Sequence, residues 1–230
     1  MGFHTPAFCA ADALPFIDGE AVVINKPAGL PVSQPRRGGR SLDDYLPDLR
    51  FGFQRLPVAV HRLDQDTSGC LLLARNVKAV KRFGDAFANA QVDKVYLGIV
   101  HGELAEAGGT IDLALGKTST AEDGWRMVPD AAGKRAVTHW RQVGVTDGMT
   151  LVEFRPETGR THQIRVHALH GIGRPLIGDP FYGQPHPSGL MLHASRLTMP
   201  RPGKADIVAH APLPKRFADM GFVPLEPVGG

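Results

Sequence analysis

The stretch from His61 to Gly69, HRLDQDTSG, contains the residues of this chain that are best suited to chemistry. A carboxylate such as that of Asp64 can attack a sugar carbon as a nucleophile or can act as a general base. The polar residues that follow it are also typical of a turn, because short polar side chains bond to neighbouring backbone groups. By itself the stretch therefore fits either a catalytic loop or a structural turn.

A second group of polar residues lies at 158–167, where the sequence is TGRTHQIRVH. Arg160 and His162 stand near the start of a helix predicted over 161–170, and unpaired backbone N–H groups at a helix start favour an anion. Arg165 follows His162 by three residues, so the two side chains can share a helix face. A solvated basic surface would have the same composition, and both interpretations stay open.

Lys94 and Tyr96 form a third candidate site, within a strand predicted over 92–100. Side chains alternate along a strand, so these two share one side of it. An aromatic ring beside a cation suits the stacking of an RNA base. A half-buried tyrosine is also common in strands, so the pair alone does not identify a ligand.

The composition of the chain excludes several classes of protein. Hydrophobic residues make up 43% of it and charged residues 21%, which is ordinary for a folded domain and unlike a disordered chain. The net charge of +3 permits a polyanionic partner. Cys9 and Cys70 form no CxxC pair, so we expect two reduced thiols. Because the sequence has no membrane-length apolar run and no secretory signal, we expect a soluble, cytoplasmic protein.

Motifs for other chemistries are missing from the sequence. It has no GxGxxG, P-loop or GxSxG motif, which argues against a nucleotide cofactor and a serine nucleophile. His162, His167 and His170 are not spaced as zinc ligands. We therefore expect no cofactor and no metal ion.

The pattern of apolar residues predicts strands joined mainly by hairpins. Strands are predicted at 21–25, 70–74, 92–100, 190–199 and 206–209, and a helix capped by Asn76 at 77–89. Asp147-Gly148, between the β-like runs 135–145 and 149–154, is the strongest hairpin signal. The prediction is an α+β fold with a mixed, mostly antiparallel sheet rather than a doubly wound one. Residues 1–19 are predicted to be an irregular lead-in and residues 20–220 one catalytic domain.

In their order along the chain, these motifs resemble the RluA family of pseudouridine synthases. The resemblance covers roughly residues 20–215 and rests on six segments. They are the HRLDxxTSG motif at 61–69, the K-x-Y strand at 94–96, the arginine-bearing motif at 158–167, the PxxGDxxYG turn at 175–183, the first family motif, NKPAGL, at 25–30 and the late core strand, LMLHA, at 190–194.

The resemblance implies a bent, mostly antiparallel sheet with flanking helices and an RNA cleft across its middle. The implied reaction breaks the N-glycosidic bond of uridine, rotates the base and rejoins it through carbon, without a cofactor. Asp64 would attack the sugar or the base, and Arg165 would pair with it and keep it ionised. Tyr96 would pack on the extruded uracil.

The resemblance also implies an RNA surface around these catalytic residues. Arg62 would enter the RNA stack that the base has left. The other expected RNA contacts are His61, Lys94, Arg160, His162 and the arginines of a predicted exposed loop at 34–40, namely Arg36, Arg37 and Arg40.

The expected partner of the chain is a stem-loop of ribosomal RNA, transfer RNA or both. We expect a monomer that needs neither a protein partner nor a membrane. About twenty residues precede the first motif, so an N-terminal S4-type domain is expected to be absent. Two alternatives remain, a non-catalytic RNA-binding protein of the same fold and an aspartate-based hydrolase in which Asp66 is the second carboxylate.

Overall fold

The computed structural model describes residues 14–35, 38–120 and 124–223. The described chain divides into two compact units. The first contains the residues up to Lys94 together with Ala194–Ala211, and the second contains Val95–His193 and the residues from Pro212 onward. The single catalytic domain at 20–220 stays a prediction.

The described residues form mainly strands, with a few short helices. In chain order the strands are β1 (Phe16–Ile17), β2 (Ala21–Lys26), β3 (Val58–Ala59), β4 (Ser68–Ala74), β5 (Asp93–His101), β6 (Gly108–Asp112), β7 (Leu115–Thr120), β8 (Gly124–Pro129), β9 (Val137–Thr146), β10 (Met149–Pro156), β11 (Leu192–Met199) and β12 (Ile207–His210). The α-helices are α1 (Val77–Ala88), α2 (Gln163–His167) and α3 (Lys215–Ala218). Antiparallel pairing is found for β1–β2, β2–β4, β3–β4, β11–β12, β5–β10, β9–β10, β6–β9 and β7–β8. This confirms the predicted α+β class with a mostly antiparallel sheet.

The first unit packs α1 against a sheet in which the strand order is β1-β2-β4-β11, with β3 beside β4 and β12 beside β11. All seven residues of β4 are buried, as the apolar run at 70–74 predicts. Pairing of Phe16–Ile17 with β2 means that regular structure begins before the end of the lead-in predicted for residues 1–19.

Helix α1 begins as predicted, because the Asn76 side chain accepts a hydrogen bond from the Ala79 N–H at 2.9 Å. The apolar pattern that begins at Val77 and includes Phe83 predicts that both side chains face the core, and the structure confirms this only for Phe83. Ala79, Phe83 and Ala86 face the core, whereas Val77 is 66% exposed. The reason is helical geometry, since Val77 lies two residues before this stripe and therefore on the opposite side of the helix.

The second unit is built on a sheet with the strand order β5-β10-β9-β6. The predicted hairpin is confirmed, because β9 and β10 pair across Asp147 and Gly148. Their φ angles of 46° and 70° are the positive values that a type I′ turn requires. A separate hairpin, β7–β8, was not predicted, because its sequence has few apolar residues and no clear alternation.

The helix predicted over 161–170 is shorter in the structure and is followed by a π turn. Only Gln163–His167 is α-helical, and Ala168–Ile172 forms a π turn. The predicted end at residue 170 is wrong, because the left-handed residue that ends the segment is Gly173, with φ of 77°.

Candidate active site

The loop that carries Asp64 is tied by its backbone to the loop that follows β2. Within the first loop, the Thr67 N–H donates to the Asp64 carbonyl at 3.1 Å and closes a turn. The Gln65 carbonyl accepts the Gly29 N–H at 2.9 Å and the Lys26 Nζ at 3.0 Å. The half-buried Asp64 therefore stands on a loop whose backbone is held in place.

Lys26 is the centre of this attachment. Its side chain is completely buried, with 0% exposure. Its Nζ donates to the carbonyls of Pro27 and Leu30, each at 2.8 Å, as well as to Gln65. Three carbonyl oxygens thus satisfy the three N–H groups of the ammonium, which offsets the cost of burying it.

Gly69 lies at the junction between the loop and β4. Its φ is 112°, a value that residues with a side chain rarely adopt. A Cβ at this position would lie 2.2 Å from the Ala194 carbonyl oxygen. The close approach of two backbones explains why this motif ends in glycine.

His61 anchors the beginning of the same loop. Its Nε2 accepts the Leu72 N–H from β4 at 2.9 Å, and its ring stacks on Phe87 of α1 at 4.3 Å between centroids. Burial, assisted by the ammonium of Lys94, lowers the pKa of His61 to about 3. The imidazole is therefore neutral at neutral pH and joins the loop to the core, a role that its assignment as an RNA contact did not include.

Acid is expected to destabilise the protein through His61. Its folded pKa of about 3 lies below the ordinary value of 6.5, so the unfolded chain binds more protons between these values. In that window the free energy of unfolding falls by up to about 1.4 kcal/mol for each pH unit lost. His61→Gln, which cannot titrate, should reduce the dependence of urea unfolding on pH between 7 and about 4. The exposed His170→Gln is the control, and equal pH profiles for wild type and His61→Gln would refute this role.

Lys94 and Tyr96 lie in β5 as predicted. Burial lowers the pKa of Lys94 to about 8, and the Asp93 carboxylate opposes this shift. Tyr96 is half-buried, pairs in register with Phe154 and packs against the hydrophobic core around it.

Arg165 has a partner in the second unit that the sequence did not reveal. Its Nε and Nη2 donate to the two carboxylate oxygens of Asp179 at 2.8 and 2.6 Å. Both residues are buried, with side-chain exposures of 2% and 0%. The guanidinium carbon lies 5.1 Å from the Phe181 ring centroid and 5.3 Å from that of Tyr182. The guanidinium of Arg165 is thus fixed by a bidentate ion pair with Asp179 and by contacts with two aromatic rings.

Asp179 is held as firmly as the arginine. Its Oδ1 also accepts the backbone N–H groups of Phe181 and Tyr182, at 2.9 and 3.1 Å. The PxxGDxxYG turn therefore supplies both the carboxylate and the rings around Arg165. The only sequence signal for this pairing was the presence of that turn as a motif, without a role for its aspartate.

His162 lies in an aromatic cluster rather than on an open surface. Its Nδ1 is 2.9 Å from the Tyr182 hydroxyl, which also accepts the Met127 N–H at 3.0 Å. Trp125 and Phe181 meet the imidazole edge-on, with centroids at 5.2 and 5.3 Å. Neither aromatic residue was singled out from the sequence, because the cluster is formed by segments that are remote along the chain.

Three of the remaining predicted RNA contacts are surface residues. Arg40, Arg62 and Arg160 are exposed, as an RNA-binding role requires. Arg36 and Arg37 lie outside the described residues. The first unit contains Asp64 and Arg62, and the second contains Tyr96 and Arg165, so the predicted ion pair between Asp64 and Arg165 stays a prediction.

In the described ranges, no group of three or more His, Cys, Asp or Glu side chains is arranged to hold a metal ion. None of the helices in this part of the chain is long and apolar enough to cross a membrane.

Comparisons with known proteins agree with the motifs. The family model described as RNA pseudouridylate synthase matches residues 20–170. A Zymomonas mobilis protein named as an uncharacterized RNA pseudouridine synthase is 55% identical, over 90% of this chain and 96% of its own length. Ribosomal large subunit pseudouridine synthase D of Nitrosomonas europaea is 36% identical, over 91% of this chain and 65% of its own.

A solved structure extends this agreement to the fold. Human RNA Pseudouridylate Synthase Domain Containing 4 superposes with a TM-score of 0.75 at 27% identity, covering 91% of each chain. The family model matches more than half of the chain. The Zymomonas mobilis relative, at 55% identity over 90% of the chain, is similar enough to show a common family. The chain therefore belongs to the RluA-type RNA pseudouridine synthases, which are isomerases of uridine in RNA.

Proposed function

We propose that this chain isomerises specific uridines of ribosomal or transfer RNA, with Asp64 as the nucleophile. The observation that carries this proposal is the fixed backbone around Asp64. Lys26 and Gly29 hold the Gln65 carbonyl beside it, at 3.0 and 2.9 Å. A nucleophile must be held in the geometry of attack, since misplacement by about 1 Å costs on the order of a hundredfold in rate.

The reaction is an internal exchange of two bonds. The bond from the sugar carbon C1′ to N1 of uracil breaks, the base rotates, and a bond from C1′ to C5 forms. The proton lost from C5 is balanced by the proton gained at N1, so the reaction needs no oxidant or co-substrate. In this proposal Asp64 attacks the sugar or the base and is released again at the end.

Tyr96 and Arg165 support Asp64 in this proposal. The half-buried ring of Tyr96, set in a strand, offers a rigid face against which uracil can pack. The guanidinium of Arg165 is assigned the role of keeping the Asp64 carboxylate ionised, because a nearby positive charge favours the charged form. Its fixed orientation by Asp179 supports a positional role of this kind.

The reacting atoms of a stacked uridine are not accessible, so the base must leave the helix. We assign Arg62 the role of filling the space that the base vacates. Its exposure and its position two residues before Asp64 support this assignment. Lys94 and the basic residues of the exposed loops would bind phosphates, which makes the affinity dependent on salt.

The choice of ribosomal RNA is supported by relatives named as ribosomal large subunit pseudouridine synthases, including synthase D of Nitrosomonas europaea. Pseudouridine mapping of total RNA, from cells with and without the gene, tests the proposal. We expect one or a few sites in ribosomal or transfer RNA to disappear without the gene and to return when it is restored. An unchanged pseudouridine map would contradict the proposed targets.

A further inference from the structure

We propose that a basic pocket on the second unit binds one backbone phosphate of the RNA substrate. The inference rests on the RNA substrate of the proposed function. The pocket has a volume of about 480 Å³. Its lining includes Lys117, Met127, Lys134, Gly159, Arg160 and Thr161.

The three cations of the basic pocket come from separate segments of the chain. Lys117 belongs to β7, Lys134 follows β8, and Arg160 precedes α2. All three side chains are exposed. Their convergence is therefore a product of the fold of the second unit and not of a run of basic residues in the sequence.

Two nearby carboxylates, those of Glu157 and Asp130, have hydrogen-bond partners other than the three cations. Glu157 pairs with His139 at 2.8 Å and with Arg135 at 3.5 Å. Asp130 accepts the Ala132 N–H at 2.9 Å. Within the described ranges, no carboxylate forms an ion pair with any of the three lining cations. Because like charges repel one another, an anion bound among Lys117, Lys134 and Arg160 would stabilise the three cations.

Two of the cations have contacts within the second unit. The Arg160 Nε donates to the Arg135 carbonyl at 3.0 Å, and its backbone N–H donates to Gln163 Oε1 at 2.9 Å. This leaves the η nitrogens of Arg160 as donors for a ligand. The Lys117 Nζ lies 5.9 Å from the centroid of the Trp125 ring, within the range of a weak cation–π attraction.

Phosphate is the anion that this arrangement fits best. A guanidinium offers two parallel donors to phosphate oxygens, and an ammonium acts as a point charge on the same group. The substrate carries one phosphate per nucleotide, so the basic pocket can hold the strand at a point apart from the reacting base. Free phosphate or a nucleotide has the same chemistry, and the test must distinguish these sources.

The test replaces all three cations by glutamine, as K117Q/K134Q/R160Q. Affinity for a substrate RNA would be measured by fluorescence anisotropy over a range of KCl concentrations. We expect affinity to fall by about ten- to a hundredfold, since three charged hydrogen-bond donors are lost. The slope of log affinity against log salt should decrease by about 0.7–0.9, the value for one phosphate.

The control is K78Q/K81Q/K215Q, which removes the same charge from exposed lysines elsewhere. Equal losses of RNA affinity in the two triple variants would overturn the proposal. A change in the salt slope about three times that for one phosphate would also overturn it, because it would indicate three separate surface contacts. Unchanged RNA affinity with lost binding of inorganic phosphate would assign the pocket to a free anion and also overturn it. Thermal melting verifies that the variants fold. The assay measures RNA binding without turnover. A failure of the basic-pocket proposal can therefore be distinguished from a failure of the chain to form pseudouridine.

Discussion

Replacing Asp64 by Asn is expected to abolish pseudouridine formation, with a loss of about 10⁴-fold or more in rate, as for other nucleophiles of covalent catalysis. The amide has the size of the carboxylate but lacks its charge and its nucleophilic oxygen. The loop should keep its structure, because Asp64 contributes its backbone carbonyl to the turn with Thr67, at 3.1 Å.

The measurement is tritium release from RNA whose uridines carry tritium at C5, since that hydrogen leaves when the new carbon–carbon bond forms. RNA binding should be measured on the same samples. We expect binding to be retained or tightened in Asp64→Asn, because a negative charge is removed from a surface that receives a polyanion. Loss of turnover with retained binding separates a chemical role from a structural one.

Two matched variants complete this experiment. Asp85→Asn makes the same change at an exposed position of α1, where the carboxylate pairs with Lys81, and should leave turnover unchanged. Asp66→Asn tests the other carboxylate of the loop. Turnover by Asp64→Asn within about tenfold of wild type would contradict the assignment, and a loss confined to Asp66→Asn would move the nucleophile to that residue.

Replacing Asp179 by Asn is expected to lower the free energy of unfolding by about 3–5 kcal/mol, because it leaves the buried Arg165 charge without its partner. Four donors point at the Asp179 carboxylate, two from Arg165 and the N–H groups of Phe181 and Tyr182. Asparagine would place its own N–H₂ group among these donors and would keep only one acceptor oxygen. For a chain of this length, the melting temperature should fall by roughly 10 °C.

The same variant tests Asp179 as a positioning residue for Arg165. At a temperature where Asp179→Asn is folded, we expect kcat to fall at least tenfold with little change in KM, since the variant alters the orientation of Arg165 and not the RNA surface. Asp147→Asn is the matched control, because Asp147 is exposed in the β9–β10 turn. A variant that melts lower yet keeps the kcat of wild type would show that Asp179 serves stability alone.

Much of the fold was predictable because its signals are local. The apolar run of β4, the Asn76 cap of α1 and the Asp147-Gly148 hairpin each depend on a few adjacent residues. The β7–β8 hairpin was missed because its strands are polar and half-exposed, so no alternating pattern marks them. The Val77 error had a similar cause, since a terminal helical residue can fit an apolar pattern and still face solvent.

The candidate nucleophile and the family were predictable from the sequence alone, because the HRLDQDTSG motif and the motifs that follow it keep the order of the family along the chain. The partners of the other functional residues were not predictable from the sequence and became evident in the folded chain. The structure showed that His61 binds the backbone of β4 and that Arg165 is fixed by Asp179. It also showed that Lys117, Lys134 and Arg160 line one pocket. The residues of each set lie at least 11 positions apart along the chain and meet only through packing, which no local pattern of residue types specifies.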